Sequence, residues 1–151
     1  RDYQFEVVHI LELLDQLKRE GRLKTSGKEE AQLTFHDPCQ IVRRGGVVAQ
    51  PHELLGEVAA NLHEMGDNKE WNWCCGGGGG VSANDRAEEL RLTAFKRKKR
   101  QLEEIGGLDT MVTACANCRT VLEEGIDHYN MDIEVVGLTE IIAEHLADDD
   151  K

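Results

Sequence analysis

Asp109-Thr110-Met111-Val112-Thr113-Ala114-Cys115-Ala116-Asn117-Cys118 is the stretch on which the fold turns. Its first six residues read as a short apolar strand that delivers Cys115, and the pattern over 117–126 predicts a helix directly behind. The alternation continues downstream, with a strand over 133–136 and a last helix over 138–146. Upstream, 83–105 is a long amphipathic helix. Ser82 with Asp85 resembles a capping box at its start, and Gly106-Gly107 ends it.

Nearer the N-terminus, 5–8 reads as a strand feeding a helix over 9–20, whose apolar residues Ile10, Leu11, Leu13, Leu14 and Leu17 recur at helical spacing. A second strand over 31–35 is ended by His36-Asp37-Pro38, because proline lacks a donor and fixes φ, and the turn presents Cys39. The stripe Leu54, Leu55, Val58 and Leu62 predicts a helix over 51–65, and Trp71-Asn72-Trp73 reads as a short strand. Strands alternating with helices predict an α/β fold with a mostly parallel sheet flanked by helices. In such sheets ligands gather beyond the C-terminal ends of the strands. Cys39, Cys74 and Cys115 each follow a predicted strand, so the cysteine groups are expected together there.

The five cysteines fall in three groups: Cys39, the doublet Cys74-Cys75, and the pair Cys115 and Cys118. Five thiols cannot all form intramolecular disulfides, and they exceed the four ligands of a closed zinc site. They suit an iron–sulfur cluster held by thiolates. The doublet runs into five glycines, Gly76 to Gly80, which cost conformational entropy on folding. Glycine lets the backbone approach a bulky inorganic centre and leaves amide N–H groups free to face anionic sulfides. Gly76, Gly77 and Gly78 are therefore candidate cofactor-binding residues. A flexible linker is the plain alternative, but it leaves the doublet unexplained.

Composition narrows the classes. The net charge of -11 argues against a nucleic-acid partner, and no apolar run is long enough for direct membrane insertion. Clustered thiols without a secretory signal place the chain in a reducing compartment, where metal binding outranks disulfides. The expected location is cytoplasmic, including the cytoplasmic face of a membrane complex.

Residues 5–14 also echo 133–142, with identity at four of ten positions. Chance is one explanation and a duplicated unit the other. The expected organisation is then 1–23 as the closing strand and helix of a preceding repeat, 24–147 as a cysteine-rich domain, and 148–151 as a disordered acidic tail.

With their flanking words His36-Asp37-Pro38-Cys39 and Cys74-Cys75-Gly76, the three groups resemble the CCG, or cysteine-rich, domain of the heterodisulfide reductase family, of the kind its B-type subunits carry. The resemblance covers 31–146. It is nearest to the iron–sulfur subunit of the membrane complex that serves dissimilatory sulfite reductase. The resemblance implies a noncubane [4Fe–4S] cluster with Cys39, Cys74, Cys75, Cys115 and Cys118 as ligands, and reduction of a disulfide-type substrate. It implies other subunits of a redox complex as partners, some of them membrane-bound, and a disulfide-carrying protein or small thiol as substrate. An electron relay in a glycolate, lactate or glycerol-3-phosphate dehydrogenase complex is a second reading within the family. Zinc, in a structural interface domain, and a thiol–disulfide oxidoreductase working through Cys115 and Cys118 are readings from other classes.

His36, three residues before Cys39, is a candidate hydrogen-bond or proton donor at the cluster, against a plain structural hydrogen bond. Asp37 is expected to fix the Asp-Pro turn. One of Trp71 and Trp73 is expected in the core. His9, His52, His63, His128 and His145 are expected at the surface, and Arg91 with the run Lys96 to Arg100 as a solvated helix face.

Overall fold

A computed structural model describes residues 4–147; the acidic tail expected over 148–151 lies outside them. Four strands, β1 (Glu29–His36), β2 (Ala59–His63), β3 (Thr110–Thr113) and β4 (Glu134–Gly137), form one all-parallel sheet in the order β2-β1-β3-β4. Five helices accompany it: α1 (Ile10–Arg19), α2 (Ala49–Val58), α3 (Glu88–Ile105), α4 (Ala116–His128) and α5 (Leu138–Glu144). The α/β class read from the sequence is the class observed.

The two faces follow from the alternation of strand side chains. Leu33, Phe35 and Val112 point to one face and pack with Leu54, Leu55 and Val58 of α2, Leu138, Ile141 and Ile142 of α5, and Leu11 of α1. Met111 and Val135 point to the other, against Phe95 and Leu102 of α3 and Val121, Leu122 and Ile126 of α4. Thr34 and His36 share that second face because they alternate with Leu33 and Phe35. Each leucine fully buried here contributes roughly 1.5–3 kcal/mol. The sheet is therefore covered on both sides, as parallel sheets require.

Chain direction across the sheet reverses between β1 and β3. β1 leads outward through α2 to β2, while β3 leads the other way through α4 to β4. The crevice at the C-terminal ends of β1 and β3 is the topological switch point.

Four local expectations are corrected. Residues 5–8 lie outside every strand of the sheet, and Val7 is 85% exposed. The helix expected over 51–65 stops at Val58, and Ala59–His63 becomes β2, because the Leu62 stripe aligns instead as a parallel ladder on β1, Leu33 opposite Leu62. Residues 69–71 form a single 3-10 turn rather than leading a strand, and neither tryptophan joins the core: Trp71 is 86% exposed and Trp73 37%. Finally, 3-10 turns occupy Gly78–Ala83 and Asp85–Ala87, so α3 begins only at Glu88. Asn84 rather than Ser82 caps the second turn, its Oδ1 accepting from the Arg86 N–H at 3.1 Å.

Candidate metal centre

All three cysteine groups come to the switch-point edge, by different routes. Cys39 lies three residues beyond β1 and opens a π-helical turn over Gln40–Arg44. Cys115 lies two residues beyond β3 as the N-cap of α4, which puts Cys118 in the first turn of that helix. Anionic sulfur at a helix N-terminus meets the positive end of the dipole and unpaired N–H groups. Cys74 and Cys75 come from an irregular loop, not from the strand expected at 71–73.

That loop is carried to the edge by polar side chains. The Asn72 side-chain amide, buried, donates to the Asp37 carbonyl, and Arg43 donates to the Asn72 side-chain and main-chain oxygens. The Asp37 carboxylate accepts from the Lys69 N–H at 2.7 Å and is bonded to His52 Nε2 at 2.8 Å. Asp37 thus does more than fix its turn, and His52, expected at the surface, is partly buried and paired. Downstream, Asn117 of the CxxC pair pins the glycine run: its Nδ2 donates to the Gly77 carbonyl at 3.2 Å and its Oδ1 accepts from Ser82 Oγ at 2.5 Å.

The sulfurs form a chain of near contacts. Cys39 Sγ is 4.0 Å from Cys74 Sγ, and the sulfurs of Cys75 and Cys118 lie with a ring nitrogen of His36 within 4.8 Å of one another. Cys115 packs against the apolar cluster that holds Cys75 and Cys118. All five thiols are free. Crowding and burial raise the pKa values of Cys39, Cys74 and Cys75. Burial lifts the Cys39 thiol, the contact with Cys75 lifts Cys74, and the contact with Cys118 pushes Cys75 up to about 11.

The glycines divide in their roles. Gly76 N–H donates to Cys74 Sγ at 3.4 Å and Gly77 N–H to Cys75 Sγ at 3.5 Å. A Cβ on Gly77 would sit 2.7 Å from Val121 Cγ2, so only glycine fits between the doublet and α4. Gly78 is exposed and has open space around it. Of the three candidate glycines, the first two direct their amides at the sulfurs of the doublet.

His36 has no exposed surface, and neither ring nitrogen has a hydrogen-bond partner. The plain structural hydrogen bond expected of its ring is not there; its main-chain carbonyl accepts from Thr113 Oγ1 at 3.2 Å. Burial, and then the charge of Lys98, holds its pKa well below the usual histidine range. Two cavities reach the sulfurs. One, about 430 Å³, exposes Cys74 between Trp71, Trp73, Arg43 and Ala94. The other, about 200 Å³, reaches Cys115 beside Ile10, Leu11 and Thr113. Among the described residues no helix is long and apolar enough to cross a membrane.

A parallel sheet with a doublet, a CxxC pair and a lone cysteine converging on its switch point is the architecture of a cysteine-rich domain. The chain belongs to the cysteine-rich (CCG) domain family, whose match covers residues 33–123. It is similar to a dihydromethanophenazine:CoB--CoM heterodisulfide reductase subunit of Methanosarcina acetivorans, 33% identical over 143 residues, which is 94% of this chain and 34% of the relative. It is similar to the Hdr-like menaquinol oxidoreductase iron-sulfur subunit 2 of Archaeoglobus fulgidus, 27% identical over 146 residues, covering 92% of this chain and 26% of that one. The EtfAB:quinone oxidoreductase of Syntrophomonas wolfei is 32% identical over 127 residues, covering 81% of this chain and 18% of that protein. The chain spans about a third of the length of the heterodisulfide reductase relatives it matches. No solved structure gives a significant match.

Asp37, Asn72 and Asn117 were not singled out as site residues by their sequence. The only signal was position, since each lies within two residues of a cysteine.

Proposed function

We propose that this chain is one unit of an iron–sulfur oxidoreductase subunit, in which Cys39, Cys74, Cys75, Cys115 and Cys118 hold a cluster, most economically a noncubane [4Fe–4S] group. The observation that carries the reading is the run of sulfurs from Cys39 through Cys74 and Cys75 to Cys118 along one sheet edge, with two glycine amides donating to the doublet. The donor set fits such a group: soft thiolates in excess of a zinc tetrahedron, together with N–H donors aimed at sulfur. The relatives' descriptions support iron–sulfur chemistry and lend zinc no support.

When bound, such a cluster supplies one-electron steps. The chain's own residues do the rest. The Gly76 and Gly77 amides offset negative charge at the doublet, Trp73 shields one flank, and the cavity beside Cys74 gives a substrate access to the centre. A disulfide-type substrate is the class we assign, because the heterodisulfide reductase relatives act on a heterodisulfide by name and Cys74 stands at an open cavity. Other subunits of a redox complex would bring the electrons. The test is anaerobic reconstitution with ferrous iron and sulfide, followed by metal and labile-sulfide analysis and electron paramagnetic resonance. Iron and sulfide bound in stoichiometric amounts and lost in Cys74→Ser support the reading, and a colourless protein that takes up no iron refutes it. Turnover of a small disulfide by the reduced, loaded protein separates the substrate assignment from the relay alternative.

We also infer that residues 1–23 close a preceding copy of the same fold. The echo between 5–14 and 133–142 extends to the corner geometry. The His9 N–H donates to Glu12 Oε2 at 3.0 Å, and the Gly137 N–H donates to Glu140 Oε2 at 3.2 Å. Yet the equivalent side chains differ in burial. Val135, Leu138 and Ile141 are 3%, 0% and 3% exposed, while Val7, Ile10 and Leu13 are 85%, 48% and 37% exposed. This is the face a second core would cover.

A further inference from the structure

Lys98 is a buried cation without an anion of its own. It sits on α3, 1% exposed, and its Nζ donates to Gln101 Oε1 at 3.2 Å and Met65 Sδ at 3.4 Å, both neutral. No salt bridge to Lys98 occurs among the described residues. The two carboxylates whose fields reach it have other partners: Asp67 is held by Arg97 through two bonds of 2.6 and 2.9 Å, and Asp37 by His52 and the Lys69 N–H. The remaining groups whose charge would act on it are the sulfurs of Cys75 and Cys118. An uncompensated buried charge costs several kcal/mol, and burial accordingly pulls the Lys98 pKa down to about 8. His36 is a second unsatisfied group in the same place. It is fully buried with both nitrogens orphaned, within 4.8 Å of the same two sulfurs and within the field of Lys98. Two buried polar groups are thus left incomplete near one pair of thiols, and the unpaired ammonium calls for a negative charge there.

We propose that Lys98 is the counter-charge of the anionic centre held at Cys75 and Cys118, a positioning residue that acts through its charge to raise the reduction potential of that centre. The inference rests on the reading that these cysteines hold an iron–sulfur group. One-electron reduction adds one negative charge and breaks no bond, and an ammonium fixed nearby in a poorly polarisable interior stabilises the reduced form more than the oxidised. The Lys98 ammonium donates to Gln101 and Met65 rather than to a thiol, so its effect is one of field rather than of ligation.

The experiment compares wild type, Lys98→Met and Lys98→Gln, each reconstituted anaerobically with ferrous iron and sulfide. Iron content is measured first. A potentiometric titration with a low-potential chemical reductant is then followed by electron paramagnetic resonance. Both variants should load iron but show a lower potential, with about a tenfold loss of preference for the reduced form, ~59 mV for a one-electron couple. Metal-free Lys98→Met should melt at or above the wild-type temperature, since an unpaired buried charge has been replaced by an apolar chain of similar length. Variants that load iron at an unchanged potential overturn the proposal and leave Lys98 a packing residue. Metal-free variants that fail to fold overturn it too, because the ammonium would then be supporting the fold by itself. Wild-type protein that takes up no iron removes the cluster reading first and this inference with it, and that result is visible before any variant is compared.

Discussion

At the scale of single residues, the glycine run separates two kinds of constraint. Gly77 is wedged against α4, and Gly77→Ala brings its Cβ to 2.7 Å from Val121 Cγ2 and 3.0 Å from Asn117 Nδ2. Overpacking of this kind costs about 1–3 kcal/mol. We expect a lower melting temperature and reduced iron retention, both measurable on one reconstituted sample. Gly78→Ala meets open space and should leave melting temperature and iron content near wild type. The sequence pointed to glycine amides facing the sulfides of a cluster; in the structure two of them donate to the sulfurs of the doublet. It did not tell which positions were tight, because that depends on Val121 and Asn117, more than thirty residues away. His36 was legible as a neighbour of the site through its spacing from Cys39. Its burial was not, since that follows from which face of β1 it shares with Thr34.

At the scale of elements, the strands and helices whose apolar patterns were complete appear where expected: β1, β3, β4, α1, α4 and α5. β2 was hidden because 59–63 continues the apolar stripe of α2 without a break, and only pairing with β1 turns it into a strand. The segment 83–87 read as the first turns of a helix, but it belongs to two tight turns that precede α3. Arg91, expected on a solvated face, is 7% exposed. It donates to the Val81 and Asn84 carbonyls at 2.9 Å and to both carboxylate oxygens of Glu124 on α4 at 2.5 Å. Arg91 thereby ties the end of the glycine run to both helices. The Arg91 hydrogen bonds lower the Glu124 pKa in the folded state. A depressed carboxyl pKa contributes stability that is present above the unfolded value, near 4.5, and is lost as pH falls below it. The acid limb of a melting-temperature profile should therefore be shallower in Glu124→Gln, with a lower plateau at neutral pH. A second test concerns the doublet loop. Asn72→Ala leaves the Asp37 carbonyl and Arg43 without their buried partner, at a cost of about 1–3 kcal/mol, and should loosen metal binding more than it lowers stability.

At the scale of the whole molecule, the convergence of the cysteine groups was legible because the sheet is parallel. Cysteines far apart in the chain can meet only where strand ends converge, and the β1–β3 switch point is that place. The doublet reaches it without a strand of its own, through Asn72 and Asp37, which the apolar pattern could not reveal. If α1 closes a preceding copy of the fold, hydrogen exchange should show the amides of α1 protected much more strongly in a longer polypeptide carrying that copy than in this chain, with β1 and β3 equally protected in both. Equal exchange of α1 in the two would count against the duplication. The two tryptophans of the chain, Trp71 and Trp73, both line the cavity that opens on Cys74. The protein's ultraviolet emission therefore originates almost wholly within a few side chains of the sulfurs. An inorganic chromophore seated there would drain that light by energy transfer, so occupancy of the centre can be followed in an unlabelled sample by the dimming of its own fluorescence.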